Sequence, residues 1–506
     1  MTGSRTADRM RRHHALLLTA LLTTTNFLVV FDGLVVTVAL PAVQRSFDLG
    51  QAGTQWVMTA YTLPLGGMLL LGGRCSDRYG RRPVLIAGLG LFITGLLLAG
   101  LAPAPWLLLT GRALQGAGAA LAVPTSFAII SAQWSSAERN RLFAAVAVAG
   151  GLGAAGGAII GGVVTQGLGW RYVFLLSVPV ALLAALAAPR LLEPQPPSAK
   201  AGGLDVPGVA LSMTGLMLLV FAITSTEGAD PVAAETLGLL ALSVAAFAGF
   251  FLHERRTSTP LLRPGIFRVP SFRTAVLTMP ANEFAYQGSV FIGLLFLQQA
   301  LGYSPLTAGL AFSPLGLVVL IGSSVANRLL RRYRWTAIAA GAQFVSAAGL
   351  GLLALAGPGS AYLPHILPSM LLLGLGTVVG AVSFNVAAGK DISAQDKGVG
   401  YGVFETAKYV AGVFAIAGLG SVAAARANSA GAESQASAAT SGYQLAFLVA
   451  AGIAMLGGIL VALLGDSPGS PKNRHCSSST AEPTADESSH RPVPASAPGI
   501  TEREEE

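Results

Sequence analysis

Five ionisable side chains stand inside apolar stretches of this sequence. They are Asp32 in FDGLVVTVALP, Arg112 in LTGRALQGAGAA, Glu283 in MPANEFAYQG, and Glu405 with Lys408 in YGVFETAKYV. A charge at the middle of a membrane span costs about 2.5–3.5 kcal/mol on insertion scales, so such residues mark proton, ion or ligand paths. A buried Asp can take up and release a proton, and a neighbouring guanidinium favours its ionised form. Asp32 and Arg112 lie at similar depth, about six to eight residues from the same end of their segments, so contact is expected, direct or through water. A proton-carrying pair and a fixed pair tying two helices together are both open readings. Gln115 follows Arg112 by three residues and shares its face. On a regular helix Asn282, Glu283, Tyr286 and Gln287 share one polar arc, which with Gln115 is expected to line a substrate cavity. Glu283 is a candidate second protonatable group or a cation partner. Glu405 and Lys408 are i,i+3 and read as a local ion pair.

These residues need a membrane-spanning scaffold. Of 506 residues, 53% are hydrophobic and 11% charged, with a mean hydropathy of +0.63. Soluble domains average about 25% charged residues. The net charge of +8 does not imply nucleic-acid binding, because the basic residues fall in short clusters between apolar runs. Arg5, Arg9, Arg11 and Arg12 precede an apolar run reaching about Leu40, too long for a cleaved signal peptide, so a retained first span is expected. A helical span needs about 20 apolar residues. Fourteen candidates fit, from 15–40 to 442–465, so both termini are expected on one side. The Lys/Arg bias makes that side cytoplasmic. Only Arg45, Arg171 and Arg426 fall on the outer side, and only Arg112 and Lys408 within spans.

The expected order is a cytoplasmic N-terminus (1–14), a six-helix half (15–189), a Pro/Gly-rich cytoplasmic linker (190–205) and two further helices (206–252). A basic cytoplasmic connection (253–273), a second six-helix half (274–465) and a Ser/Pro/Glu-rich disordered tail (466–506) follow. Residues 427–441 are expected as a polar outer loop. The fold class is thus an all-α integral membrane protein. Cys75 and Cys476 form no framework, the six histidines show no metal-ligand spacing, and no phosphate loop occurs. No cofactor and no metal are expected.

Between spans two and three stands GRCSDRYGRRP, with Gly73, Asp77, Arg78, Gly80, Arg81 and Arg82 in the pattern G-x-x-x-D-R-x-G-R-R. It resembles the loop signature of the major facilitator superfamily. LTGRALQGAGAA resembles the fourth-span motif of that family's drug:proton antiporters, and FDGLVVTVALP the first-span motif of its 14-span branch. GAAGGAIIGG, Gly153 to Gly162, resembles the fifth-span antiporter motif, with Ala158 where the family usually has Pro. Gly153, Gly157 and Gly161 share a face, and with Gly162 suit close helix packing. SVANRLLRR repeats the loop spacing in the second half through Asn327, Arg328, Arg331 and Arg332.

The resemblance implies two pseudo-symmetric six-helix halves with two helices inserted between them. It implies a gating role for the loop and a moving interface at the fifth-span glycines, while the intramembrane charges themselves are the ground for expecting proton coupling through Asp32, Arg112 and Glu283. The activity implied is export of amphiphilic drugs or antibiotics in exchange for protons, across the plasma membrane, by a monomer. A proton-coupled nutrient importer is the alternative, and a membrane-embedded enzyme is disfavoured because no nucleophile, base or metal cluster converges.

Overall fold

The computed structural model describes residues 2–134, 136–194, 204–224, 233–257, 264–392, 397–429 and 435–465. Among the described residues, thirteen helices are long and apolar enough to cross a membrane. They are α1 (Thr2–Phe47), α2 (Gln51–Tyr79), α3 (Arg81–Gly100), α4 (Pro105–Gln133), α5 (Ser136–Gly167) and α6 (Arg171–Leu191). Next come α7 (Val206–Thr224), α8 (Ala234–Arg256), α10 (Pro305–Leu330), α11 (Trp335–Ala354), α12 (Tyr362–Gly389, opening on a π turn), α13 (Lys397–Ser429) and α14 (Gln435–Leu464). The fourteenth, α9, covers 270–300 and is interrupted twice by π-helical turns, Phe284–Gly288 and Phe296–Ala300. In hydrocarbon every backbone polar group must be satisfied within its own segment, which is why the apolar runs become helices.

Helix pairing makes the repeat explicit. In the first half α1 packs on α5 and α6, and α4 on α2 and α3. Eight helices later α9 packs on α13 and α14, and α12 on α10 and α11. The halves meet along α5·α10 and α2·α13, two seams that exchange under the repeat. The inserted α7 and α8 pack on each other, and α7 rests on α2 and α13. Ser243 Oγ donates to Gly215 O across them at 2.8 Å, and His253 Nε2 lies 2.6 Å from the buried carboxylate of Asp205, which also caps α7 through Gly208 N.

The sequence placed some borders short. α1 continues to Phe47 with Arg45 in its last turn, and α13 to Ser429 with Arg426 in its last turn. Of the polar outer loop expected at 427–441, the described part is mostly helix. Its alanines favour helix, and hydropathy reports the bilayer slab, not where a helix ends. The 190–205 linker lies largely outside the described residues, as does the 466–506 tail. The 253–273 connection holds a 3-10 turn, Pro264–Arg268.

Candidate functional site

Asp32 and Arg112 meet in the core of the first half. α1 and α4 bring them to 2.5 Å (Asp32 Oδ2 to Arg112 Nη1), with side chains 1% and 0% exposed. Gln115 closes a triangle. Its Oε1 accepts from Arg112 Nη1 at 3.0 Å, and its Nε2 donates to Asp32 Oδ1 at 3.1 Å. Arg112 Nε also donates to Val57 O on α2 at 3.1 Å, and the ring of Tyr61 lies 4.3 Å from the guanidinium carbon. Arg112 Nη2 has no hydrogen-bond partner. Both carboxylate oxygens of Asp32 are therefore occupied, and the pair is desolvated on every side. Breaking such a pair by removing one partner costs far more than a surface bridge.

Gln115 does not line a cavity. It is fully buried in this cluster and lies against Gly95 of α3, where a Cβ would stand 2.6 Å from Gln115 Cγ. The polar arc expected on α9 also divides. Asn282 turns into its own half, donating to Thr377 O at 3.3 Å, with its Oδ1 against Gly380 of α12. Tyr286 and Gln287 are half-buried, and Gln287 lies on Gly412 of α13. Asn282 and Glu283 stand in regular helix ahead of the π turn Phe284–Gly288, and the neighbouring helices divide the arc, α12 meeting Asn282 at one edge and α13 meeting Gln287 at the other. Glu283, 7% exposed, sits at the start of this turn. Glu405 and Lys408 form their ion pair, and Lys408 Nζ lies 5.0 Å from the Tyr409 ring. Glu283 interacts electrostatically with both members of that pair.

The fifth-span glycines serve two faces. Gly153, Gly157 and Gly161 pack on α1, where a Cβ would come within about 3 Å of Phe27 O, Phe31 O and Val35 Cα respectively. The seam between halves lies on the neighbouring face. There Gly309 of α10 would put a Cβ 2.1 Å from Ala158 O, Gly316 one 2.7 Å from Ala155 N, and Gly162 one 2.6 Å from Pro305 O. Of the four expected packing glycines, only Gly162 touches the other half. α5 is a single α-helix through Ala158.

In the loop motif, Gly80 adopts φ 89°, a conformation side chains resist, and this turns α2 directly into α3. Arg81 is the charge acting on Asp77. Arg78 lies 5.9 Å from the Tyr79 ring. Arg82 is half-buried, and Gly73 faces open space. The close approach of α2 to α4 belongs to Gly72, whose Cβ would lie 2.0 Å from Ala120 O.

At the opposite end of the bundle, hydrogen bonds join the halves directly. Gln298 Nε2 donates to Val38 O at 3.0 Å, Gln299 Nε2 to Gln44 Oε1 at 2.8 Å, and Leu306 N to Gln166 Oε1 at 3.3 Å. Sequence reasoning missed this seal and the Tyr61 ring. Polar residues near span ends are common, and an aromatic in an apolar helix gives no sign of what it faces. Among the described residues no group of three or more His, Cys, Asp or Glu could hold a metal ion.

The model of the Major Facilitator Superfamily matches residues 22–416. The chain is 37% identical over 456 residues to the puromycin resistance protein pur8 of Streptomyces alboniger, covering 87% of this chain and 90% of that one. It is 35% identical over 412 residues to the cephamycin export protein CmcT of Amycolatopsis lactamdurans, covering 78% and 82%. It is 32% identical over 419 residues to a lincomycin resistance protein of Streptomyces lincolnensis, covering 82% and 86%. Among solved structures, an auto-inhibited POT family peptide transporter superimposes with a TM-score of 0.66 at 16% identity, over 91% of this chain and 99% of that one, a likeness of fold. With two paired six-helix halves and a family match running from the first helix into the thirteenth, the chain belongs to the major facilitator superfamily.

Proposed function

We propose that this chain is a secondary active exporter that moves an antibiotic-like organic molecule out of the cell in exchange for protons. The observation that carries export is the likeness, over most of both chains, to proteins named for puromycin resistance and cephamycin export. The cargo leaves chemically unchanged, so no catalytic group is needed. The protein acts in the plasma membrane with both termini cytoplasmic, as a monomer surrounded by lipid.

The buried cluster supplies the coupling. Ionised Asp32 neutralises Arg112, and protonating it leaves a buried guanidinium without its counter-charge, a state the low-dielectric core disfavours. α1 must then shift against α4. The glycine face of α5 rides on α1 beside Asp32, and the next face of α5 forms the seam with α10. Proton uptake at Asp32 is thereby linked through α5 to the opening of the seam. A membrane potential of 100 mV contributes about 2.3 kcal/mol per charge and one pH unit about 1.4, enough to concentrate a neutral cargo roughly 400-fold per proton at perfect coupling.

The test is reconstitution of the full chain into vesicles with an imposed pH gradient and a panel containing puromycin, a cephamycin and a fluorescent dye. At least one cargo should move only when the gradient is present, and Asp32→Asn should abolish that dependence while still inserting in the membrane. Coupled flux by Asp32→Asn equal to that of the parent chain would remove Asp32 from the proton path.

A further inference from the structure

We infer that the groove between α10, α11 and α12 holds one anionic phospholipid, with its phosphate on the arginines of the α10–α11 turn and one acyl chain in the groove. Such a site needs neither cargo nor proton transport. An open cavity of about 380 Å³ lies here. α12 packs on both α10 and α11 and contributes Leu375 to the lining. Val325 and Leu329 line it from α10, and Gly341 and Val345 from α11. Tyr333, in the turn, carries the one polar side-chain atom among the residues that line it. Gly341 is exposed, and a Cβ there would meet nothing within 4 Å, so the space is open at that point.

The turn supplies the charge. In the first half only Gly80 stands between α2 and α3, whereas Arg331–Arg334 stand between the last residue of α10, Leu330, and the first of α11, Trp335. Three of those four residues are arginines, and with Arg328 they place four exposed cations within seven residues. Residues 305–389, which include all three helices, contain no Asp or Glu. Asp391, the next acid along the chain, accepts a hydrogen bond from Ser271 Oγ at 3.3 Å. None of the three helices therefore supplies a counter-charge, and the guanidinium fork matches a phosphate with two parallel hydrogen bonds.

The depth of the groove matches a lipid. From Trp335 to Val345 the helix rises about 15 Å, half of the roughly 30 Å hydrocarbon core. The apolar lining is thus about one leaflet deep, with Tyr333 and the arginines at its headgroup end. Tyrosine favours that interface, and basic pockets between membrane helices bind anionic headgroups. A free phosphate would leave the groove unfilled. A zwitterionic lipid would fill it, yet bring a further cation to a site where arginines already crowd. With both termini cytoplasmic, as proposed above, the lipid comes from the inner leaflet. α10 also forms the seam with α5, so an occupied groove ties one side of that seam to α11 and α12.

The test uses the purified full-length chain in detergent, titrated with dioleoyl phosphatidylglycerol or dioleoyl phosphatidylcholine, with bound lipid counted by native mass spectrometry. One phosphatidylglycerol should bind about tenfold more tightly than phosphatidylcholine, or better. Arg331→Gln/Arg332→Gln leaves the groove open and should weaken it by about fivefold per arginine, the scale for one basic residue near an anionic surface. Gly341→Phe fills the groove without changing a charge, and should weaken it by about tenfold by excluding the chain. Gly351→Phe lies on the same helix outside the groove, where a Cβ also meets nothing within 4 Å, and should bind as the parent chain does. Should the ring at position 341 alter the size-exclusion profile, Gly341→Leu takes its place. Equal binding of the two lipids, or retention of neither, would overturn the assignment. So would binding untouched by filling the groove, which would reduce the site to a charged surface, and so would displacement of the lipid by inorganic phosphate.

Discussion

Arg112 is the residue on which the first half's polar core depends. It bonds Asp32, Gln115 and the Val57 carbonyl at once, and faces the Tyr61 ring. Arg112→Ala strands a buried carboxylate and should destabilise by about 3–5 kcal/mol, the scale for breaking a buried pair. The double variant Asp32→Asn/Arg112→Ala removes both charges and should recover a large part of that loss. Thermal unfolding of the purified protein, with both single variants completing a cycle, measures the difference. A double variant no more stable than Arg112→Ala would show that the pair's charge is not what holds α1 to α4. Arg112→Lys should also be damaging, because one ammonium cannot reproduce the guanidinium fork or its stacking on Tyr61.

At the scale of elements, the seam between α5 and α10 is built from backbone contact. No side chain separates Gly309 from Ala158, where a Cβ would overlap the carbonyl oxygen at 2.1 Å. Gly309→Val should therefore force the two helices apart and abolish transport even if protein reaches the membrane. Gly418→Ala is the matched control, since a Cβ there meets nothing within 4 Å and should leave flux unchanged. Vesicle transport by the two variants reads this directly. Gly80 is demanding through its backbone conformation. At φ 89° and ψ 149°, Gly80→Ala should cost about 1–3 kcal/mol, seen as a lowered unfolding midpoint.

At the scale of the whole molecule, the described hydrogen bonds between the halves lie at one end, through Gln298, Gln299 and Leu306 on one side and Val38, Gln44 and Gln166 on the other. In the orientation proposed above, with both termini cytoplasmic, this is the outer end, and the conformation is then one closed toward the outside. Cysteines replacing Gln44 and Gln299, joined by a short reducible cross-linker, should lock that seal and halt transport, with activity returning on reduction. Undiminished flux from the cross-linked protein would mean that this end need not open in the cycle.

The sequence alone determined the class of this molecule. Fourteen apolar segments, the side to which arginines and lysines keep, and the spacing from Gly73 to Arg82 follow from local composition, because the bilayer sorts residues one segment at a time. Asp32, Arg112, Glu283, Glu405 and Lys408 were visible for the same reason, each an expensive charge in an apolar run. Which partner each one met was decided by tertiary structure. Gln115 went to Asp32 instead of to a cavity, Asn282 turned to α12 while Gln287 met α13, and α9 took on π turns that have no composition signature. The fifth-span glycines looked like one interface and proved to be two faces, because helix rotation is set by the neighbours on all sides. Periodicity within a segment cannot report the register between segments, and the site consists of such registers.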